Sequence, residues 1–146
     1  MDRYKFRAKR LDNGEWVEGY YVQQNLANKH FIVTETECIN PYTTSYLNLI
    51  EVDPATVGQY TGLNLKDEQC TELYRGDIIE FVVHDYYSSG NEIRRGYIEW
   101  WADAGAFVVA YADEKYEHDW LYMILINDDE AKKIGTIHDN PELLEG

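Results

Sequence analysis

Four histidines and two cysteines are the side chains in this sequence best suited to metal binding or nucleophilic catalysis. A metal site needs converging His, Cys or carboxylate ligands, and short spacings such as C-x-x-C or H-x-x-x-H are its usual sign. His30, His84, His118 and His138 are scattered instead, and Cys38 and Cys70 each stand alone. The stretches His84-Asp85-Tyr86 and Glu117-His118-Asp119 set carboxylates beside imidazoles. Neighbours on a strand point to opposite faces, however, so these pairs would not chelate together. Cys70 and His84 could serve as nucleophile and base, yet no nucleophile elbow or other local signature accompanies them. No Walker loop or G-x-G-x-x-G opens a helix to cradle phosphate. With 27 acidic residues, no carboxylate pair for glycoside chemistry can be singled out. The residue types therefore predict a non-enzymatic protein with no catalytic residue, no metal site and no cofactor.

Binding chemistry is better represented. The net charge is -14, yet five of the 13 Lys and Arg residues fall within the first ten positions. There Arg3, Lys5, Arg7 and Lys9 alternate with Tyr4, Phe6 and Ala8, the period-two pattern of a half-buried strand with one basic face. Together with Arg94 and Arg95, this stripe is the candidate surface for nucleic acid, since small β-barrels bind single strands through basic grooves and aromatic platforms. The acidic body disfavours that partner, because affinity for phosphate backbones comes mainly from Lys and Arg. Lysines on an edge strand also block sheet-to-sheet aggregation, a purely structural use of the same residues. A basic edge could equally meet the acidic segments of another copy, which predicts a homo-oligomer. The adjacent pairs Tyr86-Tyr87 and Trp100-Trp101 should place one ring of each inward and one outward, and outward aromatics anchor interfaces.

Strands must position these groups. Arg3 to Leu11 and Trp16 to Val22 should form a hairpin through Asn13-Gly14, a type I′ pair. His30–Thr36, Tyr46–Val52, Ile78–Asp85, Ile93–Trp101 and Ala106–Ala112 are rich in β-branched and aromatic residues or alternate in polarity, and also read as strands. Asp53-Pro54 ends one strand and caps a single turn, while Asn140-Pro141 opens a short terminal helix. Gly58, Gly62 and Gly76 mark bends or close backbone approach rather than chemistry. The apolar block Trp120–Ile126 fits strand or helix; strand is preferred here, and at seven residues it is far too short to cross a bilayer. The chain is thus expected to be all-β, mainly antiparallel with little helix, a small barrel or packed-sheet architecture. With no secretory leader in view, the cysteines are expected to be reduced and the location cytoplasmic.

Five blocks, KFRAK at Lys5–Lys9, WVEGYYV at Trp16–Val22, VDPATVGQYTGL at Val52–Leu63, ELYRGDIIEF at Glu72–Phe81 and IGTIHDNPELL at Ile134–Leu144, occur in an order that resembles the YopX family of phage and prophage proteins. The resemblance spans nearly the whole chain. It implies a β-rich fold, an origin in a bacteriophage or prophage and a place in the bacterial cytoplasm, but no activity and no site residue. One departure stands out: relatives tend to carry a glycine turn in the connector before ELY, where this chain has Asp67-Glu68-Gln69-Cys70. The part after residue 57 also resembles an SH3-like barrel, so the chain reads as one YopX-like unit, 1–146, divisible into 1–56 and 57–146. The function expected is a phage or prophage accessory protein that binds a host or phage protein. A nucleic-acid-binding β module is the alternative and an enzyme with an unrecognised site the weaker one. The candidate binding or oligomer surface is Arg3, Lys5, Arg7, Lys9, Arg94, Arg95, Trp100 and Trp101.

Overall fold

A computed structural model describes residues 4–35, 47–84, 87, 90–113 and 117–145. Cys38, Arg3 and Tyr86 lie outside the described residues. The chain is all-β, with antiparallel strands in packed sheets, and divides into two compact units, 1–60 and 61–146. Among the described residues no helix is long and apolar enough to cross a membrane.

The first unit is built on β1 (Lys5–Lys9), β2 (Trp16–Gln24), β3 (Lys29–Glu35) and β4 (Leu47–Glu51), each antiparallel to the next. The pleat sends Phe6, Ala8, Val17, Tyr21, Ile32 and Ile50 to one face, where they pack with Val52 and Val57. Past β4 the chain returns to β1: Arg10 bridges Val52, and the Asp53 N–H donates to the Lys9 carbonyl at 2.9 Å. Asp53 caps the 3-10 turn Pro54–Thr56 by accepting from the Ala55 N–H at 3.0 Å, as the Asp-Pro pair predicts.

Two expectations for this unit need correction. The first hairpin is not closed by a type I′ turn. That turn needs positive φ at both central residues, whereas Gly14 has φ +72° and Asn13 does not share it. Instead the Arg10 N–H donates to the Glu15 carbonyl across a wider loop, and the Asn13 side chain accepts from the Glu15 N–H. Nor is β1 an edge strand. It lies between β2 and β5 (Gly58–Asn64), with Phe6 and Arg7 opposite Gln59 and Gly58. Edge protection therefore does not explain its lysines.

The second unit contains β7 (Asp77–His84), β8 (Asn91–Trp101), β9 (Ala106–Ala110), β10 (His118–Trp120) and β11 (Lys132–Thr136), preceded by the short β6 (Glu72–Tyr74). Its five-stranded sheet runs β10-β9-β8-β7-β11, every pair antiparallel. Leu73, Ile79, Phe81, Ile98 and Val109 form its core with Leu121, Ile124 and Leu125. The latter three reside on a helix, α1 (Leu121–Asn127), so the strand expected over Trp120–Ile126 is wrong beyond Trp120. The burial pattern gives the reason: Leu121, Ile124 and Leu125 are spaced i, i+3, i+4 and share one buried helical face, whereas a strand would bury alternate residues.

The stretch Glu72–Phe81 organises this unit. Gly76 has φ +90°, its N–H donates to the Ile98 carbonyl at 2.8 Å, and its carbonyl accepts from Ile137 at 2.9 Å. Asp77, fully buried, accepts from the Tyr74 N–H at 2.8 Å and pairs with Lys133 Nζ at 3.0 Å. In the connector before it, Cys70 takes φ +49° while Asp67 accepts from the Thr71 N–H at 2.8 Å. A left-handed conformation costs a side chain about 1–3 kcal/mol, which a glycine avoids at some cost in chain entropy. Cys70→Gly is therefore expected to raise stability by about 0.5–1 kcal/mol, checked by urea denaturation; a loss would mean that Cys70 contributes more than its backbone. Cys70 is an exposed, free thiol.

Candidate interaction surface

Helix α1 buries one stripe and exposes the other. Tyr122, Met123 and Ile126 are 61%, 48% and 48% exposed, and Trp120, just before the helix, is 43% exposed. A run of large apolar side chains in solvent makes this the candidate contact surface. The helix is tied to the sheet at its far end, where the Asp128 carboxylate accepts from the Val82 N–H at 2.8 Å. Between α1, β10 and the end of β7 lies a groove of about 310 Å³ lined by Phe81, Val83, His84, Asp119, Trp120, Met123 and Ile124. Around Trp120 the aromatics are layered: Trp101 packs edge-on against His118 with centroids 4.1 Å apart and lies 5.9 Å from Trp120. Pairing of β9 with both β8 and β10 brings these three rings together from strands distant in sequence.

Residues 5–145 match the YopX protein family. The chain belongs to that family. No curated protein matches it. Among solved structures, the crystal structure of protein EF1440 from Enterococcus faecalis is similar over 97% of each chain, at 25% identity and a TM-score of 0.45.

In this YopX-family chain the sequence-nominated residues fall into separate settings. Lys5, Arg7 and Lys9 share a face of β1, but each is engaged: Lys5 Nζ lies 3.3 Å from Glu18, and the Arg7 and Lys9 cations sit 4.7 and 5.5 Å from the centroid of the Trp16 ring. Arg7 is buried, because β2 and β5 flank its strand and Trp16 covers its guanidinium. Arg94 and Arg95 point to opposite faces of β8. Arg94 bridges Glu92 at 3.0 Å and Asp119 at 3.4 Å, while Arg95 meets Glu80 at 2.7 Å. Trp100 and Trp101 also take opposite faces, Trp100 against Phe107 and Trp101 against His118 and Trp120, but the inward ring expected of the pair is absent: they are 43% and 38% exposed. Sequence reasoning missed Trp120, Tyr122, Met123 and Ile126 because a strand reading scatters them over two faces. No signal in the sequence separates strand from helix there, because the neighbours of Leu121, Ile124 and Leu125 are apolar as well.

A second cavity, of about 440 Å³, holds Arg94 and Arg95 with Glu92, Tyr111, Asp113 and Glu145. Its charges are of both signs and already paired in part, so it offers neither a uniform anion site nor an evident base. Burial, reinforced by the hydrogen bond its hydroxyl donates to Asp119, raises the Tyr111 pKa well above that of an ordinary tyrosine. A raised folded-state pKa means that the neutral phenol stabilises the fold fully below about pH 10. That contribution is lost only as pH rises through the folded value. Alkaline titration followed by tyrosinate absorbance should therefore show a late-ionising group that Tyr111→Phe removes; a full complement of ordinary tyrosines in the wild type would contradict the burial. Among the described residues no group of three or more His, Cys, Asp or Glu is arranged to hold a metal ion.

Proposed function

We propose that this YopX-family protein is a phage or prophage accessory protein that acts in the host cytoplasm by binding a protein, without catalysis, through the groove beside α1. The exposed apolar face of Trp120, Tyr122, Met123 and Ile126 carries this reading. Rigid aromatics and an adaptable methionine are typical anchors of protein interfaces. The cations of the nucleic-acid alternative support it indirectly, since Lys5, Arg94 and Arg95 already face carboxylates and Arg7 and Lys9 a tryptophan ring. Self-association belongs to the same proposal, supported by Tyr20, Leu47 and Leu49 exposed on the outer face of the first unit's sheet. Sedimentation as a monomer at both low and high salt would remove it.

The test is capture from bacterial host lysate by the tagged wild type and by Met123→Ser, each at low and high salt, with and without nuclease. A defined protein retained through salt and nuclease, and reduced at least about tenfold by Met123→Ser, is expected for an apolar anchor worth 1.4 kcal/mol or so. Equal capture by both proteins would overturn the assignment of the groove. Nucleic acid lost as salt rises would favour the alternative.

A further inference from the structure

Strand β4 stands at one end of the first unit's sheet, with β3 on one side of it. Hydrogen-bonding direction alternates along an antiparallel strand. The Val52 N–H donates to the His30 carbonyl at 2.9 Å, one step beyond the pair Phe31 and Glu51, so Ile50 and Asn48 also turn their backbone groups toward β3. Leu47, Leu49 and Glu51 therefore turn theirs away from it. At Glu51 that side is filled, since its carbonyl accepts from the Leu11 N–H at 3.1 Å. Among the described residues no backbone partner meets Leu47 or Leu49 there, and a cavity of about 370 Å³ borders the edge at Leu49, between it and the Arg10–Asp12 segment. The two leucine side chains are 62% and 59% exposed. Edge strands are commonly kept from pairing by Lys, Pro or a bulge. β4 has no Lys and no Pro, and its register with β3 is regular.

We propose that this edge pairs with the same edge of a second copy, antiparallel about a two-fold axis at Asn48, so that Leu47 of each chain exchanges backbone hydrogen bonds with Leu49 of the other. This rests on the reading that the protein self-associates and adds the strand and the register through which it does so. The register follows from which groups are open. Centring on Leu49 would set Leu47 against Glu51, whose carbonyl Leu11 already holds. Centring on Leu47 would leave each Leu49 without the other's open edge. Centring on Asn48 fills both leucines of both chains. The occupant must also be short, because Leu11 closes the edge at Glu51, and β4 of a second copy has the same short open stretch. The leucines of the two copies would then share the outer face, in the row that Tyr20 and Val33 begin; cross-strand apolar pairs of this kind stabilise a sheet. Little charge enters the contact, as the one ionisable residue of β4, Glu51, faces Lys29 at 3.7 Å. Salt should therefore preserve or strengthen association by screening the mutual repulsion of two chains at -14, whereas a contact of basic strand with acidic loop would weaken.

The experiment uses the full-length chain. Sedimentation over a range of protein concentrations, at low and high salt, is expected to show monomer and dimer in equilibrium for the wild type. Leu49→Pro deletes an outward N–H and spares the bonds to β3, since proline is tolerated on an edge strand whose N–H faces solvent. It is expected to sediment as a monomer with the circular dichroism of the wild type. The second arm does not depend on that variant folding. With Cys38→Ser and Cys70→Ser in place, Asn48→Cys sets two thiols across the axis in a non-hydrogen-bonded pair, with Cα atoms about 4.5 Å apart and so within reach of a disulfide. Under limiting oxidant it should cross-link at least about tenfold faster than Leu26→Cys in the same background, a fully exposed position elsewhere in the first unit. A wild-type dimer that survives Leu49→Pro, or Asn48→Cys cross-linking no faster than Leu26→Cys, would overturn the strand pairing and leave self-association through another surface standing. A wild-type monomer at every concentration and salt would overturn both.

Discussion

Asp77→Ala is expected to destabilise the second unit by about 3–5 kcal/mol, the usual loss when one member of a buried ion pair is removed. Asp77 has no exposed surface, and its carboxylate meets partners of different kinds, the Tyr74 N–H at 2.8 Å and Lys133 Nζ at 3.0 Å. The first fixes the turn that leads β6 into β7; the second ties β7 to β11. Truncation leaves the Tyr74 donor unsatisfied in a buried site and strands the Lys133 ammonium, which is 28% exposed and so can recover only part of its hydration. Asp77→Asn retains an acceptor for Tyr74 while losing the charge, and should cost less, about 1–3 kcal/mol. Against a typical total of about 5–15 kcal/mol, the alanine variant would lose a large part of its stability. Urea denaturation of both variants tests the order. A loss under about 1 kcal/mol for alanine, as at an ordinary surface site, would show that the carboxylate does not organise the turn.

How far the sequence revealed this fold depended on the distance over which each element is decided. β2, β3, β7, β8 and β9 are legible because β-branched and aromatic residues fill them, a local property. By contrast, β5 contains Gly58 and Gly62, and β6 is three residues in a polar connector; their strand character comes from partners, not propensity. The same distinction explains β1. Its alternation was read correctly as a strand, but whether it sits at an edge depends on β5, which arrives some fifty residues later and converts Arg7 from a surface cation to a buried one. At the candidate surface, the opposite faces of Trp100 and Trp101 followed from strand geometry alone, but the burial expected of one of them did not, since both are exposed. The exposed face of α1 did not, since seven near-continuous apolar residues satisfy both periodicities. Three residues of pairing with β9 followed by a helical turn is a division that only the surrounding core decides, by accepting Leu121, Ile124 and Leu125 together.

Gly76→Val should cost about 3 kcal/mol or more, whereas Lys5→Ala should fall within about 0.5–1 kcal/mol of the wild type. The two sites separate backbone strain from surface charge. At Gly76 an added Cβ would meet His138 and Ile137 at 3.6 Å, an ordinary contact, so crowding is not the obstacle. The φ of +90° is, because a β-branched residue is seldom found there. The backbone cannot easily rotate to relieve it: the Gly76 N–H is held by Ile98 and its carbonyl by Ile137, so changing φ would disturb β8, β11 and the Asp77 carboxylate that follows. Lys5, in contrast, loses a partly exposed ion pair with Glu18, which in water contributes little. Gly76→Asn supplies the control, since asparagine tolerates positive φ better than valine does and should recover part of the loss. Should valine and lysine variants melt together, the glycine would not be the hinge of this unit; should valine and asparagine be equally damaging, the cause would be the space around Cβ rather than the conformation of the chain.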